Sequence, residues 1–225
     1  MRSIWRTSSS EDLRDALALG AAIVVVGASF GALAATAGLP LILIVAMSML
    51  VFAGGSQFLA VAVIASGGAP IAAVLGGLLL NARHLPFGLA VADVVGRSWP
   101  ARLFGTHFMV DESVAFARSR PDPVRARRMY WTVGITLFVA WNLGTVVGAL
   151  AGSAVPAPAR FGVDAAFPSA LLALLLPSLR GTDAARVALA GAVLALLATP
   201  WVPAGVPVLV ALAGLLAAGR PSAAS

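Results

Sequence analysis

The sequence predicts an all-α fold, a polytopic transmembrane helix bundle of about six to eight spans with broken helices near the midplane and a candidate internal repeat. Three observations carry this. Of 225 residues, 60% are hydrophobic and only 11% charged, with a mean hydropathy of +0.97, far from the balance of a water-soluble domain. Apolar stretches recur along nearly the whole chain, and a hydrocarbon core of about 30 Å takes ~20 helical residues to cross. All 15 basic residues are arginine, and their distribution follows loop sidedness.

Ser10, followed by Glu11 and Asp12, reads as a helix N-cap with acids in the first turn, opening a helix that enters the membrane near Ala16. The stretch before it, MRSIWRTSSSEDLRD, lacks a short apolar core with a small-residue cleavage site, so no removable signal peptide is expected. Breaking the apolar stretches at Pro, Gly and charge clusters gives candidate spans at roughly 16–37, 40–66, 70–95, 103–117, 129–151, 162–179, 184–199 and 205–219. The fourth, seventh and eighth are short, and the last two would fit one re-entrant hairpin. Residues 1–15 then form a cytoplasmic segment, 16–219 a single transmembrane domain and 220–225 a tail. With the amino terminus inside, Arg2, Arg6, Arg14, Arg118, Arg120, Arg125, Arg127, Arg128, Arg180, Arg186 and Arg220 are cytoplasmic. Only Arg97, Arg102 and Arg160 fall outside, and Arg83 lies within a span.

Two stretches echo each other, GALAATAGLP from Gly31 and GALAGSAVP from Gly148, each closing an outward-going span. Each precedes a Phe-x5-Phe pair, Phe52 with Phe58 and Phe161 with Phe167. Duplication is common among transporters, although Gly/Ala/Leu segments also match by chance.

An ionisable group in hydrocarbon costs at least ~2.5–3.5 kcal/mol, so each one inside a span is a functional candidate. These are Arg83, His84, Asp93, His107, Asp111, Glu112 and Asp164. Arg83 and His84 fall near the centre of the third span, and Asp111 and Glu112 near the centre of the fourth. Asp93 lies ~15 Å from Arg83 along an unbroken helix, so the counter-charge is expected from Asp111 or Glu112. A purely structural ion pair is the alternative. In FAGGSQF, Phe52 to Phe58, adjacent glycines weaken the helix and Ser56 is a good N-cap, which reads as a break whose second half aims N–H groups at a carboxylate. The alternative is that Gly54 and Gly55 are small packing residues. Pro86, in NARHLPF, removes a backbone donor and would free carbonyls around Ala82, beside Asn81 and Arg83, or simply kink the helix. His107 and Asp111 stand four residues apart and would share a helix face, as a proton relay or a plain pair. Asp164 is a gate residue or a helix cap. Trp5, Trp99, Trp131 and Trp201 fall near expected interfaces, whereas Trp141 is deeper and lines a pathway or packs.

In this order and at these spacings, FAGGSQF, NARHLPF, the Asp111-Glu112 pair and FGVDAAFP resemble the AzlC family of branched-chain amino acid exporters, over residues ~10 to ~200. The resemblance implies efflux of leucine, isoleucine, valine and analogues across the bacterial inner membrane. It also implies a small hydrophobic AzlD-like membrane protein as partner. It assigns no role to any residue.

A zwitterionic apolar amino acid requires partners for a carboxylate, an ammonium and an aliphatic chain. Gly54, Gly55, Ser56, Gln57, Asn81 and Arg83 are the candidate substrate-binding residues; His84, His107, Asp111 and Glu112 are candidates for proton coupling or ion pairing; Asp164 is the candidate gate. No catalytic residue, cofactor or metal is expected, and without cysteine the chain can form neither a disulfide nor a thiolate metal site. It also has no GxxxxGK[ST] loop, which leaves proton antiport as the natural energy source. The net charge of +6 is not organised into a basic stripe with interleaved aromatics, so no nucleic-acid partner is expected. The rival readings are an intramembrane serine hydrolase of rhomboid type, with Ser56 as nucleophile and His84 or His107 as base, and a channel or scaffold.

Overall fold

A backbone buried in lipid must satisfy its polar groups internally, and runs of Ala, Leu, Val and Gly do so as helices. The computed structural model describes residues 2–154, 172, 176–203 and 206–218. In chain order the helices are α1 (Arg2–Thr36), α2 (Leu41–Val51), α3 (Gly54–Ala65), α4 (Pro70–Asn81), α5 (His84–Ala90), α6 (Ala92–Val95), α7 (Trp99–His107), α8 (Asp111–Arg118), α9 (Pro123–Ala154), α10 (Thr182–Ala198) and α11 (Val206–Val210). Short 3₁₀ segments cover Leu176–Arg180 and Ala211–Ala217. Three stretches are long and apolar enough to cross a membrane, Glu11–Thr36, Pro70–Ala90 and Pro123–Ala154, and Leu41–Val51, Gly54–Ala65 and Val206–Ala217 are shorter apolar helices. The chain is an all-α membrane bundle, as expected from its composition.

Two expectations are corrected at helix ends. Ser10 is not an N-cap: α1 runs unbroken through it from Arg2. The fourth span is not one helix, because the backbone leaves the helix after His107 and re-enters at Asp111. The expected sixth span, with Asp164, lies largely outside the described residues.

The core is a parallel pair, α1 against α9. A Cβ placed on Gly20 would meet Thr136 and Ala140, one on Gly27 would meet Trp141 and Thr145, and one on Gly31 would meet Thr145 and Ala149. Register rises on both helices together, so they run in the same direction. The contact is reciprocal, since Gly144 faces Val24 and Ala28 while Gly148 faces Ala28. Gly27 and Gly31 thus occupy on α1 the places that Gly144 and Gly148 occupy on α9. Glycine is required because the backbones touch: a Cβ on Gly27 would lie 2.7 Å from the Trp141 carbonyl oxygen. Without a hydrophobic force between helices in lipid, such small-x-x-x-small stripes supply close van der Waals contact. The two echoing sequence segments therefore begin at equivalent positions of a two-fold-like pair.

Around this pair Phe30, Phe58, Leu137, Trp141, Met129 and Ile44 form the main apolar cluster. Ser48 of α2 bonds Thr145 of α9 at 3.3 Å, both buried. At the end marked by the arginine-rich loop, Asp12 of α1 is 5% exposed and is held by Arg120 (Nη2–Oδ1 2.8 Å) and Arg125 (Nε–Oδ2 2.8 Å). Burial of that carboxylate is tolerated because both oxygens accept charged donors.

Candidate functional site

Three helix breaks meet at one cavity. The first separates α2 from α3: Phe52 adopts a left-handed conformation (φ 40°, ψ 50°) and Ala53 is the N-cap of α3. The break thus falls before the glycines rather than at Ser56, which correction follows from two hydrogen bonds. Gln57 Oε1 accepts from the Ala53 N–H at 3.1 Å, and the Ser56 hydroxyl donates to the Ala53 carbonyl at 2.8 Å. The side chains of the first turn thereby close on the cap, and Gly54 and Gly55 present the leading N–H groups of α3, which have no intrahelical acceptor.

The second break lies between α4 and α5. Pro86 has no N–H to give Ala82, and the Leu85 N–H bonds the Ala82 carbonyl at 3.0 Å in its place. The Ala82 carbonyl is therefore not freed as expected; the Asn81 carbonyl is the one displaced. It is taken by the His84 ring, Nδ1 to O 3.0 Å. A carbonyl only accepts, so Nδ1 carries the proton and Nε2 is the basic nitrogen of the neutral ring. Arg83, the residue at the turn, reaches Asp111 with Nη1–Oδ2 2.6 Å. It also lies beside the start of α3, since a Cβ on Gly55 would be 3.9 Å from Arg83 Nη2.

The third break, Phe108 to Val110, was not signalled by glycine or proline. Ser113 fixes it, its hydroxyl accepting from the Val110 N–H (3.0 Å) and donating to the Val110 carbonyl (2.9 Å). Asp111 and Glu112 stand in the first turn of α8, where the helix dipole favours negative charge. His107 ends α7. It does not share a helix face with Asp111, and the expected relay pair is absent: the His107 ring packs instead among Phe52, Phe108 and Phe138.

The cavity is about 400 Å³, within the usual range for a small-molecule site. Its lining includes Gly54, Gly55, Arg83, His84, Asp111 and Glu112 together with the apolar Ile23, Val26, Phe58, Leu80, Leu137 and Trp141. The Arg83 and Asp111 side chains are 39% and 46% exposed, so their pair is open to a ligand. A second cavity, about 420 Å³, is bounded by Asn81, Thr106, His107 and Met109 among others. Phe52, Ala53 and His84 border both, which makes the first break and the His84 ring the wall between them. Ser56 and Gln57 are buried in the first turn of α3 and border neither cavity. Ser56, engaged with its own cap, makes no contact with either histidine that would activate it as a nucleophile. Asp93, as expected, is not the partner of Arg83; it approaches Arg118 at 3.9 Å. The apolar wall was not foreseen, apart from Trp141, whose depth relative to the other tryptophans was the available signal.

These features define a helical membrane protein whose interrupted helices bring opposite charges and apolar side chains to one cavity. The AzlC protein family matches residues 18–155, and the chain belongs to that family. It is 31% identical over 176 residues to the inner membrane protein YgaZ of Escherichia coli (strain K12), covering 72% of this chain and 71% of that one. It is 30% identical over 184 residues to an uncharacterized membrane protein of Archaeoglobus fulgidus, covering 78% and 77%. It is 26% identical over 137 residues to the branched-chain amino acid transport protein AzlC of Bacillus subtilis (strain 168), covering 60% of this chain and 54% of that one. No solved structure matches.

Proposed function

We propose that this chain is a secondary transporter exporting branched-chain amino acids, leucine, isoleucine, valine and their analogues, across the bacterial inner membrane by proton antiport. It works with a small AzlD-like membrane partner and keeps its amino terminus in the cytoplasm. The observation that carries the reading is the composition of the cavity: the start of a helix, a guanidinium paired with a carboxylate, a second carboxylate, and aliphatic and aromatic side chains line the same space. A zwitterion with a branched apolar chain meets a complementary surface at each of its three parts. In this reading the substrate carboxylate sits at the start of α3 beside Arg83, and its ammonium is met by Asp111 and Glu112. The Arg83–Asp111 pair closes the cavity when it is empty, and the incoming zwitterion replaces each partner of the pair with one of its own charges. Proton coupling assigns the titrating groups to Glu112, Asp111 and the two histidines. The relative named for branched-chain amino acid transport supports the substrate class, and the arginine distribution supports the orientation.

Everted membrane vesicles containing this chain and its partner test the proposal. An imposed gradient, acid inside, is expected to drive accumulation of labelled valine that leucine competes away. Accumulation that survives collapse of the gradient excludes proton coupling, and none under any gradient excludes the transport reading.

A further inference from the structure

The α1–α9 pair is a ruler for depth, because Asp12 of α1 meets Arg125 near the start of α9 and both helices run from that end toward Thr36 and Ala154. Along it the intervening chain doubles back twice. α2 leaves the far end at Pro40 and descends, since Ser48 bonds Thr145 and the Phe52 ring meets Phe138 edge-on (centroids 5.1 Å, 86° between planes). α3 then climbs. It packs antiparallel to α4: Gly55 faces Leu80, Ser56 faces Gly77 and Leu59 faces Gly76, while Val63 clusters with Ala72 and Ala73. α4 to α6 carry the chain to the opposite end, where a Cβ on Gly96 would be 3.2 Å from Arg127 Nη2. From there α7 rises: the Tyr130 hydroxyl donates to the Gly105 carbonyl at 2.8 Å, and the His107 and Phe108 rings reach Phe138 (5.4 and 5.3 Å). α8 falls back, with Val114 and Ala117 in one cluster with Ala126 and Tyr130, and Arg120 beyond it bonds Asp12.

No limb of these excursions is long enough to cross. α2, α3, α7 and α8 have 11, 12, 9 and 8 residues, against the ~20 that span a hydrocarbon core. The two turning points meet at one depth, Phe52 and His107 lying 6.2 Å apart and both on Phe138, midway along the 32-residue α9. Non-helical backbone is tolerated there because both turns line the cavities. We propose that α2–α3 and α7–α8 are opposed re-entrant hairpins, one from each membrane face, and that they are the two gates of the cavity between their tips. The chain between α1 and α9 then crosses once, through α4 to α6. Arg97 and Arg102, expected outside, join the cytoplasmic arginines, since Arg102 Nε donates to the Gly96 carbonyl (3.4 Å) beside Arg127. α7–α8 is the cytoplasmic gate, latched by Asp111 to Arg83, by Arg118 to Asp93 of α6 and by Arg120 to Asp12 of α1. As gates the two rest on the transport reading above; as hairpins they do not.

Single cysteines read the topology, since the chain has none of its own. In spheroplasts a membrane-impermeant maleimide should label Ala69→Cys, in the exposed turn before α4, and spare the exposed Arg97→Cys and Val124→Cys until the membrane is permeabilised. Arg97→Cys on the side opposite Val124→Cys, or Ala69→Cys on the same side as it, overturns the hairpins. The whole pattern inverted overturns the cytoplasmic assignment of α7–α8. Val95→Cys with Gly105→Cys ties α6 to α7 through Cβ positions 3.4 Å apart, close to the ~3.8 Å typical of disulfides. Oxidation of this variant should abolish valine flux, and reduction should restore it. Flux that survives complete oxidation overturns α7–α8 as a gate. Wild-type protein without flux overturns the transport reading, while the labelling pattern still decides the hairpins.

Discussion

Arg83 is held by geometry at two anionic prospects at once, Asp111 on one side and the anion-seeking start of α3 on the other. The first is present in the structure; the second belongs to the proposed mechanism. A charge swap separates a structural pair from a working one. Arg83→Ala is expected to lower valine flux roughly tenfold or more, the scale of a lost charge-assisted contact. The double variant Arg83→Asp with Asp111→Arg should regain thermal stability relative to Arg83→Ala, because the pair is restored. Its flux should stay low, because a carboxylate then faces the start of α3. Recovery of flux in the swapped protein would make the pair purely structural.

Among the elements, the breaks matter more than the helices. Each puts a helix end at the cavity, and each has a different local cause: a left-handed Phe52 with a Gln57 cap, the missing Pro86 donor, and the Ser113 hydroxyl. Irregular backbone at membrane depth is tolerated where it lines a cavity. Pro86→Ala tests the second break. The restored N–H can donate to the Ala82 carbonyl, returning Leu85 to the Asn81 carbonyl and releasing the His84 ring. The expected result is an unchanged or higher unfolding temperature together with flux reduced severalfold, since removing an interior proline relieves up to ~3 kcal/mol while Arg83 is turned away from its partners. Flux equal to wild type would show that the break does not position Arg83.

At the scale of the whole molecule, the parallel α1–α9 pair is the spine, with backbone against backbone over several turns. Interfaces this close have little room to slide, so motion during transport is expected in α2 to α8 around it. The chain has no native cysteine, which makes a disulfide probe clean. Gly20 and Ala140 bring Cβ positions to 3.9 Å, near the ~3.8 Å typical of disulfides. Gly20→Cys with Ala140→Cys is expected to cross-link under mild oxidation, read as lost maleimide labelling, and to keep flux within about twofold. An oxidised protein that binds but does not transport would place the moving interface between α1 and α9.

Composition and the length of the apolar runs determined that the chain is a helical membrane bundle, because runs near 20 residues match a spanning helix, which satisfies its backbone within itself. Two of the three breaks were legible as Gly54-Gly55 and Pro86, since their causes are local. The acidic partner of Arg83 was legible too, because equal depth and an uncompensated charge leave few choices. The third break was not. Phe108 to Val110 contains no glycine or proline, and Asp111 and Glu112 looked like charges at mid-span when they are the first turn of a new helix. The echo around Gly31 and Gly148 was visible as a candidate repeat, but not that the two helices lie parallel in contact. Only the tertiary structure decided that the His107 ring packs against Phe52 and Phe138, that His84 divides two cavities, and that Trp141 closes on Gly54. Those are relations between helices far apart in the chain, fixed by which faces pack together, and hydropathy along a sequence carries no record of them.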